Sequence, residues 1–298
     1  MSFSSEVKNE LCRVSMQRPC CTRAEIYGAM LHASVFSHRE IHLSTENATV
    51  ARRLQMLLQR AFSLDCAPQR TGSKLHLTLT DTCAVGRVFD AFGYDRKSHV
   101  TYHINRNVIE EDCCTAAYLR GAFLMAGTVA GPDKKSHLEL KSARQSLSGE
   151  ETSLLLDLGL SPKLARRSSA YVLYFKDASS VENLLTAIGA PHAAMELMEA
   201  KVEKNLRNTI NRQVNCETAN LVKAADASAR QVAAIRRAID AHGEAFFPGK
   251  LRETVRLRLA YPTDSLSELA ARFDPPLSKP GLSHRLKKIT ELAAAKGE

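Results

Sequence analysis

The side chains of this sequence best suited to chemistry are thiols and imidazoles, and many of them fall in pairs. His99-x-x-x-His103 precedes Cys113-Cys114, a grouping with the donor types that Zn²⁺ takes. The spacing fits no common zinc finger, and adjacent cysteines are unusual as ligands of one ion. A second pair, Cys20-Cys21, is followed rather than preceded by its histidines, His32 and His38. The sequence is therefore expected to carry no metal site and no cofactor. The eight cysteines (Cys12, Cys20, Cys21, Cys66, Cys83, Cys113, Cys114 and Cys216) include no C-x-x-C spacing. They read as reduced cytoplasmic thiols, mostly small core residues. Acyl transfer and nucleotide hydrolysis lack their motifs, since there is neither a G-x-S-x-G elbow nor a G-x-x-x-x-G-K-[ST] loop. What remains is electrostatic. Lys and Arg number 41 against 32 Asp and Glu, formally +9, which favours an anionic partner, nucleic acid first.

The elements that would position these residues are duplicated. Residues 20–36 (CCTRAEIYGAMLHASVF) and 113–129 (CCTAAYLRGAFLMAGTV) share eight of 17 positions without gaps at a spacing of 93. KLHLTLTD (74–81) is answered more faintly by YVLYFKD (171–177), and VFDAFG (88–93) by LLTAIG (184–189). One unit reads as a helix capped by Thr22 or Thr115, then a strand, Glu40–Ser44 or His137–Lys141. Next come a helix (Ala48–Phe62 or Gly149–Leu158), a strand (Leu75–Thr80 or Ala170–Phe175) and a helix (Ala84–Phe92 or Ser180–Ile188). With extra strands the order is αββαββα, twice, which makes the fold α+β. Glycine inside a helix costs about 1 kcal/mol relative to alanine. Its recurrence implies close approach of two helix backbones. Gly28, Ala29 and Ala33 are accordingly expected to face Gly121, Ala122, Ala126 and Gly127 across a pseudo-two-fold axis. Small residues packed on each helix's own sheet are the alternative. Arg52, Arg53, Arg60, Arg70 and Lys74 read as a solvated face or the lining of a DNA groove.

After Pro191 the composition turns helical. Met195, Met198, Val202, Leu206 and Ile210 recur at helical spacing, and Asn215-Cys216-Glu217-Thr218 reads as a break between two helices. Packing within the chain or a coiled-coil dimer would cover the apolar stripe. Further on, Lys250–Ala260 is a helix ended by Pro262. Ser265-Leu266-Ser267-Glu268 is a capping box. After Asp274-Pro275-Pro276, Ser278 caps a last helix, Lys279–Ala293, with Leu282, Leu286 and Ile289 as its buried stripe. Short helix, tight connection and second helix make a helix-turn-helix. Nine basic residues oppose four acidic ones over 250–290. Ser283, His284 and Arg285 are the base-contact candidates, because Arg can bridge guanine O6 and N7. Lys279, Lys287 and Lys288 are the phosphate-contact candidates. A helical hairpin with a solvated basic face is the competing reading.

Leu119 to Gly127 resembles a degenerate LAGLIDADG motif, that of homing endonucleases. In that family the acid at the eighth position of each paired helix holds a divalent metal over the scissile phosphates. The eighth positions here are Ala126 and, in the first copy, Ala33. Neither offers the oxygen ligand that Mg²⁺ requires. The resemblance thus implies the scaffold without catalytic residues and without nuclease activity. A degenerate LAGLIDADG domain fused to a C-terminal helix-turn-helix resembles the WhiA family of bacterial regulators. The resemblance runs from MSFSSEVKNEL to the last helix. It is sharpest at 118–129, at NRQVNCETANLVKA (211–224) and at PPLSKPGLSHRLKKI (275–289).

That resemblance implies a regulator binding double-stranded DNA in Gram-positive bacteria. It implies roles in sporulation or cell-division genes, in division and in chromosome segregation. It also implies an iron–sulfur partner regulator or RNA polymerase as further partners. Asn211, Arg212, Asn215 and Asn220 are expected to fix a helix junction, with contact to DNA phosphates as the alternative. The domain boundaries read as 1–107 and 108–192 for the two repeats, 193–217 for a helical linker and 218–298 for the helix-turn-helix. No apolar run approaches the ~18–20 residues of a membrane span, and the first residues have no secretory-signal pattern, so a cytoplasmic, nucleoid-associated protein is expected. Two rivals stay open: a residual endonuclease using other acids, and a partner-binding scaffold that touches DNA loosely.

Overall fold

The computed structural model describes residues 2–95 and 103–295. His99 of the His–Cys grouping lies outside them. The chain divides into two compact units, Met1–Lys204 and Asn205–Glu298, each with its own apolar core.

In the first unit a short helix, α1 (Phe3–Leu11), precedes two copies of one αββαββα order. The first copy is α2 (Pro19–Leu31), β1 (Val35–Phe36), β2 (Ile41–Thr45), α3 (Ala48–Phe62), β3 (Gln69–Thr71), β4 (Lys74–Leu79) and α4 (Thr82–Ala91). The second is α5 (Asp112–Ala126), β5 (Gly127–Val129), β6 (Leu138–Ser142), α6 (Gln145–Asp157), β7 (Lys163–Arg167), β8 (Ala170–Phe175) and α7 (Ala178–Ile188). Each copy folds its strands into a four-stranded antiparallel sheet, ordered β1-β2-β4-β3 and β5-β6-β8-β7. Alternation buries one face: Ile41 and Leu43 of β2 lie opposite Leu79 and Leu77 of β4. The faint echo between the repeats has a physical counterpart. Asp81 and Asp177, at the ends of KLHLTLTD and YVLYFKD, both cap the following helix. Their carboxylates accept from the Ala84 and Ser180 amides at 2.7 Å.

Thr22 and Thr115 are not N-caps. The helices α2 and α5 begin three residues earlier, and Arg18 and Glu111 hold the cap positions. The Thr22 hydroxyl instead donates back to the Arg18 carbonyl at 3.1 Å. Pro19 sets the earlier start, because its fixed φ suits a first helical position.

The helices α2 and α5 lie side by side and parallel. A Cβ on Gly28 would sit 2.1 Å from the Tyr118 carbonyl oxygen and 3.1 Å from the Ala122 nitrogen. A Cβ on Gly121 would sit 1.9 Å from the Glu25 carbonyl oxygen and 3.0 Å from the Ala29 nitrogen. Shifting each residue of the first contact by 93 positions gives the second, with the copies exchanged, so the seam is two-fold in its detail. Ala29 and Ala122 are fully buried there, while Ala33 and Ala126 are half-buried beyond it. Gly127 is not part of the seam: a Cβ there would meet the Phe123 ring of its own repeat at 2.2 Å. It begins β5, where the strand must pass close over that ring.

Beside the seam lies a buried ionic knot. Glu25 accepts two bonds from Arg53, at 2.5 and 2.8 Å, and one from Arg120 at 2.9 Å. Arg53 also donates to the Cys12 and Val14 carbonyls at 2.9 Å, and Arg120 to that of Ile188 at 2.9 Å. Arg53 is therefore not on a solvated face or a groove: it is 1% exposed. Arg52, Arg60, Arg70 and Lys74 are exposed.

The break read at Asn215–Thr218 does not occur. A single helix, α8, runs from Pro191 to His242, 52 residues, because neither glycine nor proline interrupts 192–242. Asn211, Arg212, Asn215 and Asn220 lie exposed within it, not at a junction. Along its apolar stripe Met195, Met198, Val202, Leu206 and Ile210 are 40–68% exposed. In the second unit, α9 (Gly249–Ala260), α10 (Leu266–Ala271) and α11 (Lys279–Ala295) gather with the end of α8 around Ile235, Phe247, Leu269, Phe273 and Leu282.

Candidate nucleic-acid interface

The two-helix element is α10 and α11. The Ser265 hydroxyl accepts from the Glu268 amide at 3.3 Å, and the Glu268 carboxylate accepts from the Ser265 amide at 2.8 Å. Both arms of the capping box are thus made. The bond from the Ser265 amide holds the Glu268 carboxyl below its ordinary pKa. The connection, Arg272–Ser278, is seven residues, longer than the tight turn expected. It is pinned where the Leu277 amide donates to the Ala270 carbonyl at 3.0 Å. Ser278 then accepts from the Gly281 amide at 3.2 Å and starts α11.

Within α11, Leu282, Leu286 and Ile289 are at most 1% exposed and fix the helix's rotation. The opposite face carries Lys279, Ser283, His284, Lys287 and Lys288, all exposed. Lys287 also reaches Glu291 at 3.8 Å, an exposed pair that contributes little. Arg285 differs from its neighbours. It is half-buried, with its guanidinium 5.7 Å from the Phe273 ring centroid. Such stacking restrains the side chain and leaves its donor edge able to bridge a guanine.

Two of the nine basic residues are committed elsewhere. Arg258 is 2% exposed and donates to the Asp264 carbonyl at 2.9 Å and to the Ser228 hydroxyl at 3.3 Å. Burial lowers its pKa from the usual value. Arg272 is held by Asp264 at 2.6 Å and lies 3.6 Å over the Tyr261 ring. Of the basic residues between 250 and 290, those left to face a partner are therefore on α11 and at exposed Lys250, Arg252 and Arg256 of α9; the second unit's part of α8 adds exposed Arg207, Arg212, Lys223, Arg230, Arg236 and Arg237.

In the first unit, Ala33 and Ala126, expected from the resemblance to stand where a LAGLIDADG nuclease carries its acids, lie half-buried near the C-terminal ends of α2 and α5. A cavity of about 910 Å³ opens beside them, lined by Ser34, Met125, Thr128, Lys8, His42 and His76, among others. The nearby His32 is fully engaged: its ring nitrogens meet the Lys141 carbonyl at 3.1 Å and Glu151 at 2.6 Å. Glu151 also accepts from the Tyr118 hydroxyl at 3.2 Å. Among the described residues no cluster of carboxylates and imidazoles able to hold a metal gathers at this end.

At the other end of the same helix pair lie four of the eight thiols. Cys66 and Cys114 are buried in the core and Cys12, Cys21 and Cys113 pack half-buried against it, as expected of small core residues, while Cys20, Cys83 and Cys216 are exposed. The two Cys-Cys pairs sit in the first turns of α2 and α5. Parallel packing brings them together, with the Sγ atoms of Cys20, Cys21, Cys113 and Cys114 all within 4.8 Å of one another. The signal was present in the repeat itself, which places both pairs at equivalent positions of helices that meet.

Known proteins give the same picture. Residues 115–207 match the model of the WhiA LAGLIDADG-like domain, and residues 210–293 that of the WhiA C-terminal HTH domain. The probable cell division protein WhiA of Alkaliphilus metalliredigens is 36% identical over 310 residues, covering 98% of each chain. That of Ruminiclostridium cellulolyticum is also 36% identical, covering 98% of this chain and 97% of its own. Full-length WhiA from Thermatoga maritima, at 23% identity, superposes with a TM-score of 0.61 over 100% of both chains, and so shares the fold. With a degenerate LAGLIDADG-like unit followed by a helix-turn-helix unit, and full-length relatives at this identity, the chain belongs to the WhiA family.

Proposed function

We propose that this protein is a sequence-specific DNA-binding regulator of cell-division or sporulation genes, active in division and chromosome segregation, and that it cuts no DNA. The observation carrying the reading is α11. Three apolar residues fix its rotation, and the opposite face presents Ser283, His284, Lys287 and Lys288 with Arg285 at its margin. Ser283, His284 and Arg285 address base edges in the major groove. Lys279, Lys287 and Lys288 meet phosphates and set the register. The family name and the helix-turn-helix match support DNA as the partner. An iron–sulfur partner regulator or RNA polymerase would then act with the bound protein, a role that rests on the family resemblance alone. The domain division proposed is two repeats at 1–107 and 108–192, a helical connector at 193–217 and the DNA-binding region at 218–298.

The absence of cleavage follows from Ala33 and Ala126, since a methyl group cannot ligate Mg²⁺. Fluorescence anisotropy with genomic promoter fragments and random duplexes, across a salt series, tests the binding. A preference for a subset of fragments that persists as salt rises is expected. Equal binding to all duplexes would favour a loosely bound scaffold instead. Chelator-sensitive cutting of any duplex in Mg²⁺ would overturn the non-enzymatic reading.

A further inference from the structure

We propose that Cys20, Cys21, Cys113 and Cys114 form a four-thiolate site for a structural Zn²⁺ ion that staples the two repeats at the N-terminal end of their helix pair. The four sulfurs come from two segments 93 residues apart and still lie within 4.8 Å of one another. Zn²⁺ bound by four thiolates at about 2.3 Å is tetrahedral, which puts its sulfurs about 3.8 Å apart. The Cys20 and Cys21 sulfurs are already 4.0 Å apart, so little movement completes the site.

The surroundings suit the charge such a centre carries. Binding exchanges four thiol protons for one dication, so four neutral thiols become a group of net charge −2 with four protons released. The first turns of α2 and α5 converge here, each contributing about half a positive charge. Arg18, at the cap position of α2, lies against the cluster and adds a positive charge beside it. Four protein ligands leave no open position, which makes the ion structural rather than catalytic. The site lies at the opposite end of the helix pair from Ala33 and Ala126, so it is separate from the nuclease chemistry of the LAGLIDADG fold.

The test is metal analysis of the full-length chain, purified under reducing conditions without a metal-affinity step. Native protein and the Cys83→Ser control, whose thiol lies exposed on α4, should carry about one zinc per chain. The double variant Cys20→Ser/Cys113→Ser should carry about none. Co²⁺ exchanged into native protein should give the intense visible bands of a tetrahedral thiolate site. A strong chelator should lower the thermal midpoint of the native chain and expose four further thiols to alkylation. That last arm needs only native protein, so it holds if the double variant fails to fold. The proposal is overturned by native protein without metal whose four thiols alkylate as fast as Cys83. A disulfide between the repeats, an iron–sulfur chromophore, or equal zinc in native and double-variant protein would overturn it as well.

Discussion

Gly28 is pressed against the carbonyl oxygen of Tyr118 so closely that a Cβ would lie 2.1 Å from it. Gly121 stands in the same relation to Glu25 at 1.9 Å. The obstacle in both cases is backbone, which cannot rotate away. Gly28→Ala should therefore destabilise the first unit by about 3 kcal/mol or more, as the helices separate and the interior packs poorly. Gly149, in α6, has nothing within 4 Å of its missing Cβ, so Gly149→Ala should stabilise by about 0.5–1 kcal/mol. Urea denaturation followed by circular dichroism checks both signs. Equal effects of the two substitutions would refute the seam.

Glu25 is the only acid of its knot and answers two guanidinium groups, at 2.5 to 2.9 Å. Glu25→Gln keeps the shape but strands both cations, at a cost of about 3–5 kcal/mol. Replacing Glu25, Arg53 and Arg120 together by apolar residues of similar volume should restore most of that loss. A triple variant no more stable than the single one would show that the ions contribute more than mutual compensation.

Arg285 and Lys288 should behave differently in DNA binding. Arg285→Ala should cost about 1–3 kcal/mol on a preferred site and relax base preference, because a restrained bidentate donor is lost. Lys288→Ala should weaken all duplexes alike and reduce the salt slope by about 1. Binding titrations on preferred and scrambled duplexes at several salt concentrations separate the two. Identical profiles would remove the assignment of base reading to Arg285.

Lys8, on α1 and lining the cavity beside Ala33 and Ala126, is held at a pKa of about 8, chiefly because burial disfavours its charge. The unfolded chain thus binds more protons than the folded one between pH 8 and the ordinary lysine value of 10.5. Through that window stability from this residue rises with pH. Cys12, raised by burial to about 12, acts oppositely above its ordinary value of 9.0. Lys8→Met should accordingly be the more stable protein at pH 7, by on the order of 2 kcal/mol. The gap should close as pH passes from 8 to 10. Chemical denaturation at a series of pH values measures it, and a constant gap would refute the cause given.

Much of this was legible where one physical rule decides local structure. The α3 helix runs from Ala48 to Phe62, as its apolar spacing and the Asn47 cap dictate, and β8 runs from Ala170 to Phe175. The repeat disclosed the paired glycines because an intrahelical glycine needs a compensating contact. Charge hid other features. Arg53 and Arg258 look like surface residues in a linear reading, yet both are buried: Arg53 donates to carbonyls 39 and 41 residues away, and Arg258 to the nearby Asp264 carbonyl and the Ser228 hydroxyl, 30 residues away. The thiol cluster was hidden for a related reason. Its members are adjacent in pairs, an odd ligand spacing until two parallel helices bring the pairs face to face.

The Gly28–Gly121 seam has one further consequence. The repeats approach most closely through main-chain atoms at mid-helix, whereas Ala33 and Ala126 sit past that contact and are half-buried. Neither alanine's side chain stands between the two backbones. A different residue at either place would therefore leave the glycine contact that holds the helices at this spacing untouched.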